Sequence, residues 1–176
     1  MINPKITIIT SLNDAVHQFN ELISSTNQNE FETNFNNKWS AGQDLVHLIK
    51  LLRILNIAYA IPKPVLSILY GSNKKESRSF EQLRTSYKNA LAGGAKSPAL
   101  YLPKPVLFHA KNDLIKKHAL LNQVFVNKFN NIAESDLDKY QLPHPILGKV
   151  TLRELAIFTS FHTVHHFELL NSKLGR

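Results

Sequence analysis

His162 and His166 are the residues in this chain whose type and spacing best suit chemistry. On a helix they stand one turn apart on the same face, so their rings can share one divalent ion. The pair alone is weak evidence. His162 is followed by Thr163, not by the glutamate that peptidase helices use as a base, so a zincin reading fails. A third ligand is needed. His47 is the best candidate, because it interrupts the strongest apolar run of the chain, Leu45-Val46-His47-Leu48-Ile49. Three neutral imidazoles would leave the ion its full charge and an open position. Such an ion can lower the pKa of a bound water or thiol. The sequence offers no convincing general base. Asp44 and Glu168 are near the histidines in the chain but not squarely on their faces, and Glu154 reads as a capping acid.

The helices that must carry these rings are legible. The last one opens with a capping box, Thr151 with Glu154, and continues close to the C-terminus. Its expected inward positions are Leu152, Leu155, Thr159, His162, His166 and Leu169, spaced as a bundle seam. The helix carrying His47 opens with a second capping box, Ser40 with Gln43, stapled by Trp39. It runs to about Ala60, where Pro62 and Pro64 end it. A first helix is expected from Leu12 to about Thr26, capped by Ser11, after a β-branched lead-in. Phe31 and Phe35 are expected to fold back onto the core. A third long helix is expected over Val106 to Asn130, with Leu107, Leu114, Leu121 and Phe125 as its stripe and His118 on the same line. Residues 136–150 read as an ordered loop. The fold class expected is therefore all-α: a four-helix bundle filling one domain over residues 1–176.

Residues 61–104 are too long for a bundle loop. They read as an insertion between the second and third bundle helices, with long loops and one short helix over Ser79–Leu91. Phe80, Leu83, Tyr87 and Leu91 face inward there, and Gly93-Gly94 ends the helix.

Taken together, these motifs resemble the DinB-like superfamily, metal-binding four-helix proteins that include thiol-dependent transferases. The resemblance rests on Trp39-Ser40 with His47 seven residues after the serine. It rests also on the loop Pro143 to Gly148, on Thr151-Leu152-Arg153-Glu154-Leu155, and on His162-Thr163-Val164-His165-His166. It implies metal ligation by His47, His162 and His166, coordination completed by water, zinc or nickel as the ion, and a homodimer. Thiol transfer to an electrophilic substrate is the implied reaction, with hydrolysis as a second chemistry. Many members carry an Arg-Gly-Gln-like segment after the last histidine, where this chain has Phe167-Glu168-Leu169. The alternative is a non-catalytic protein that the metal stabilises, or an interaction module with a basic surface. His165 is expected beside the site or at the surface, His118 in the interior, and His144 in loop packing near the mouth. His17 and His109 are expected at the surface.

Composition narrows the partners. The chain has 176 residues, a formal charge of +8 and no cysteine. Any metal is thus held by nitrogen and oxygen, and any thiol comes from the substrate. Between Ile61 and Lys117 eleven Lys and Arg stand against three acids (Glu76, Glu81 and Asp113), leaving ten against ten elsewhere. That excess would steer an anionic partner, but no recognisable nucleic-acid module accompanies it, so nucleic acid is not expected. Neither a secretory leader nor a membrane span is read, and the setting expected is cytoplasmic.

Overall fold

The computed structural model describes residues 4–34 and 38–176. Phe35, expected on the core, lies outside the described residues. Four long helices make the frame: α1 (Lys5–Ser24), α3 (Ala41–Ala58), α6 (Lys111–Asn130) and α8 (Leu152–Lys173). Shorter elements join them: α2 (Gln28–Glu32), α4 (Lys63–Tyr70), α5 (Phe80–Ala92), α7 (Glu134–Lys139), and a hairpin of β1 (Gln141–His144) with β2 (Gly148–Thr151). This is the expected four-helix bundle with insertions.

Four starts are set by capping boxes. Ser40 with Gln43 opens α3 and Thr151 with Glu154 opens α8, as read from the sequence. Asn27 with Glu30 and Ser79 with Gln82 do the same for α2 and α5. α1 begins earlier than expected, at Lys5 after Pro4, and Ser11 is not its cap. Its β-branched first turns are poor helix formers, but Ile8 is buried. Lys5 Nζ also donates to the carbonyls of Asn130 and Ile132 at 3.1 and 2.7 Å. Tertiary contacts thus outweigh propensity.

α1 packs along α6 and α8, and α3 packs along α6. α3 and α8 meet only over a short length. The bundle is therefore parted along that one seam. The core falls into two clusters. One gathers Leu12, Leu55, Tyr59, Phe125, Phe129 and Leu152, and the other Phe19, Ile23, Phe31, Leu45 and Leu170. Gly42 is needed where α2 crosses the start of α3, since a Cβ there would meet the Phe31 ring at 2.8 Å.

Several expectations are corrected. α6 starts at Lys111, after a 3₁₀ turn over Phe108–Ala110, and Leu107 is exposed. Residues 136–150 are not a loop but lie in α7 and the hairpin, which turns over residues 145–147 and leaves the turn at Gly148 with φ of 71°. In the insertion, α5 matches the expected short helix, and Leu83 and Tyr87 are buried. α4 went unread because Pro62 and Pro64 read as a stop. They in fact cap and start the next helix. The insertion is anchored to α8 by Glu154, which accepts from Arg78 N at 2.6 Å, Arg78 Nε at 3.1 Å and Arg78 Nη2 at 2.9 Å. Part of the basic excess is spent on such tethers. Lys63 pairs with Asp136 at 3.0 Å, and from the α3 side Lys50 Nζ, outside that excess, holds the segment by donating to the Leu102 carbonyl at 2.6 Å.

Candidate metal centre

α3 and α8 run antiparallel. Near the N-terminal end of α3 three rings converge across the seam: His47 from α3, and His162 and His166 from α8. All three residues are buried, and one potential ligand atom from each lies within 4.8 Å of the others. A tetrahedral ion with bonds of about 2.0–2.1 Å holds its nitrogens about 3.3 Å apart, within reach of small ring rotations. The cluster is thus capable of coordinating a divalent metal.

The tautomers of two rings are fixed by their partners. His47 Nδ1 is 3.0 Å from the Tyr101 carbonyl. A carbonyl only accepts, so Nδ1 carries the proton and Nε2 is bare. His166 Nδ1 is 2.9 Å from Asp44 Oδ1, and a carboxylate there imposes the same tautomer. Hydrogen bonds that leave the opposite nitrogen free to ligate are characteristic supports of metal-binding histidines. Asp44 also accepts from Lys173 Nζ at 2.9 Å, and Lys173 donates to the Trp39 carbonyl at 3.1 Å. Burial pushes the Asp44 carboxyl up to about 6, against the pull of the Lys173 ammonium. It is therefore mainly ionised at neutral pH.

Burial lowers the pKa of His47, opposed by the Tyr101 hydrogen bond. His162 and His166 are held well below the ordinary value, first by burial and then by their mutual repulsion with neighbouring imidazoles. All three are neutral at pH 7, the form that ligates. The staple expected of Trp39 leaves its indole free to touch the cluster as well. The ring lies parallel to that of His166 at 6.1 Å between centroids and tilts over His47 at 4.9 Å. Tyr87, from the insertion, stands edge-on to His162 at 5.8 Å, and burial raises its phenol to about 12.

A cavity of about 730 Å³ opens beside the cluster, between α3 and α8, with the insertion and hairpin as further walls. The α8 positions expected in the tightest packing are split by this cavity. Leu155, Thr159, His162 and His166 line it, whereas Leu169 is exposed. The opposite side of α8, with Arg153, Ala156, Ile157 and Ser160, is buried as well. This helix is enclosed nearly all round, which a single stripe does not describe.

The other histidines separate clearly. His165 is half-buried, lines the cavity and sits 5.8 Å from the His166 ring between centroids. His144 does look into the cavity, and also serves loop packing. Its Nδ1 accepts from the amides of Ile146 and Leu147, and its ring meets Phe158 at 4.4 Å. His118 is buried elsewhere, between α1 and α6, with Nδ1 2.8 Å from Asn20 Oδ1. His17 and His109 are exposed. The functional residues that sequence reasoning missed are Asp44 and Tyr101. Asp44 reaches across to α8, not along its own helix, so spacing on α3 gives no sign of it. Tyr101 contributes a backbone carbonyl, which no side-chain pattern reveals. No protein-family model matches the chain, and no significant match is found among curated proteins or solved structures.

Proposed function

We propose that the protein binds a divalent metal ion, zinc or nickel, through His47, His162 and His166, and that it is an enzyme of the DinB-like type acting on a substrate thiol or on water. The observation that carries this reading is the convergence of three buried imidazoles, two of them oriented through Nδ1, beside an open cavity. When bound, such an ion supplies Lewis acidity toward a thiol or water. The chain's own residues do the rest. The Tyr101 carbonyl and Asp44 hold the rings in ligating tautomers. Lys173 keeps the Asp44 carboxylate charged and ties the end of α8 to the start of α3. Trp39 and Tyr87 wall the cluster with aromatic surface.

The helix order supports the DinB-like assignment, with one histidine on the second long helix and two, four apart, on the last. With that assignment go one domain over residues 1–176, thiol transfer to an electrophilic substrate with hydrolysis as the second chemistry, a homodimer and a cytoplasmic setting. One observation favours a second reading, a non-catalytic ion that stabilises the bundle. α3 and α8 pack directly over only a short length, so a shared ion would tie together the loosest seam.

The test is metal analysis after zinc or nickel loading and dialysis, with the His162→Ala, His166→Ala double variant alongside. About one ion per chain in the native protein and none in the variant is expected. Equal content in both would remove the site. A panel of thiols with electrophilic aromatic halides then separates the readings. Metal-dependent product formation supports the enzyme. Metal-dependent thermal stabilisation without product supports the structural role.

A further inference from the structure

The cavity beside the histidines has a chemistry of its own. α3 and α8 are joined at both ends of their shared length. At one end Asp44 bonds to His166 and Lys173, and at the other the Tyr59 hydroxyl donates to the Leu152 carbonyl. Between these two ties the helices stand apart, and the cavity of about 730 Å³ fills the gap. That volume falls in the range of pockets that enclose a whole small molecule. Its length follows from the helix that lines it. From His47 to Ala58 is eleven residues, about 16 Å at the α-helical rise.

The walls are apolar along this length. Leu48, Leu52 and Leu55 face it from α3, Leu155 and Phe158 from α8, and Leu142 from the hairpin. The two threonines of α8 in the wall turn their hydroxyls inward on the helix. Thr159 Oγ1 donates to the Leu155 carbonyl at 2.8 Å and Thr163 Oγ1 to the Thr159 carbonyl at 3.0 Å. His144 spends Nδ1 on two loop amides. Ile57 and Leu102 are exposed to solvent and also line the cavity, giving it an apolar lip. Over these leucine and phenylalanine surfaces polar groups of a guest would lose water without recovering hydrogen bonds, and outside the histidine cluster Tyr70, Lys96 and Ser97 are among the polar side chains left to meet a polar end. Apolar groups would gain from the same burial.

We propose that the substrate of this site is an elongated molecule with an apolar body, alkyl or aryl, and a polar head. The body lies between α3 and α8, and the head reaches the three histidines. The placement of the head rests on the metal reading above. The apolar body rests on the cavity alone.

Two titrations test this, chosen so that the two readings fail separately. In the first, the cobalt(II)-loaded protein is titrated with straight-chain thiols from ethanethiol to octanethiol and with glutathione, following thiolate-to-cobalt absorption. Affinity is expected to rise about fourfold per added methylene, with octanethiol at least a hundredfold tighter than glutathione. In the second, the metal-free protein is titrated with Nile red, displaced by straight-chain alcohols up to decanol. The same rise with chain length is expected. Ala58→Phe, at the end of the cavity far from His47, should stop the rise at a shorter chain in both series. If Ala58→Phe does not fold, the chain-length dependence of the native protein still decides. A flat series, or glutathione bound as tightly as octanethiol, would overturn the proposal and leave the metal reading standing. Chain-length-dependent displacement without cobalt binding would support the apolar body while removing the metal. Neither response would remove both.

Discussion

Asp44 joins the His166 ring to the Lys173 ammonium, and Lys173 in turn holds the backbone of Trp39. Asp44→Asn keeps the size of the side chain and removes the charge. Loss of such a supporting carboxylate usually lowers metal affinity 10- to 100-fold. A loss of that size is expected for zinc, measured by competition with a chromophoric chelator, while Glu168→Gln on the exposed side of α8 should change it little. A second residue-scale consequence concerns pH. His118 is buried, and its Nε2 has no partner among the described residues. Burial lowers its pKa from 6.5 to about 4. Above pH 6.5 the native and unfolded chains both carry it neutral, and its contribution to stability is complete. As pH falls from 6.5 toward 4, the unfolded chain takes up a proton that the native protein refuses, so stability is lost, on the order of 3 kcal/mol in all. Urea unfolding across that range should show this slope. His118→Gln, which retains a donor toward Asn20, should remove about one proton's share of it. The clustered histidines, shifted in the same direction, add slope of the same sign in the metal-free protein. At this scale the sequence revealed the ligand candidates, since three imidazoles at apolar helix positions are unusual. It could not reveal groups that act across helices.

The elements show which local signals are strong enough to survive folding. Both capping boxes read from the sequence start a long helix where expected, because they satisfy backbone amides locally and need no partner elsewhere. Glu154 adds a distant duty by holding Arg78. Glu154→Ala therefore removes the reciprocal cap and the anchor of the insertion together. A loss of about 2–3 kcal/mol is expected in chemical denaturation. The larger part should persist in the background of Arg78→Ala if the cap dominates. Misplaced boundaries have the opposite origin. α1 starts at Lys5 because Ile8 finds a core and Lys5 finds the end of α6. α4 forms because prolines that end one helix can begin another. The α8 stripe was periodic for a cavity, not for close packing, and hydrophobic period alone does not separate the two. The hairpin was unread because Pro143 and Pro145 mark a turn without showing that its flanks pair.

At the scale of the whole molecule, three seams of the bundle are closed along their length, the α1–α6 seam with polar pairs among its side chains, and the fourth is held at its ends. That arrangement places a potential ion at one end of a cavity and gives the insertion a purpose in the fold. α5 supplies Tyr87, the 3₁₀ turn Ala99–Tyr101 supplies the carbonyl that orients His47, and Lys96 and Leu102 lie along the rim. The basic residues of this segment thus accompany a structure that completes the site, though Lys74, Lys75, Lys88 and Lys104 remain exposed. Among the described residues no single helix is long and apolar enough to cross a membrane. α3 and α4 meet the length and composition only as a pair bent by 101°.

The shared ion can be tested most directly by X-ray absorption at the zinc edge on the reconstituted protein. Three imidazole nitrogens at about 2.0–2.1 Å, with their outer-ring scattering and a lighter fourth ligand, are expected, and the imidazole signal should vanish in the His162→Ala, His166→Ala variant. A shell of oxygen alone, or an unchanged spectrum in the variant, would place the ion elsewhere and leave these three rings as ordinary buried histidines.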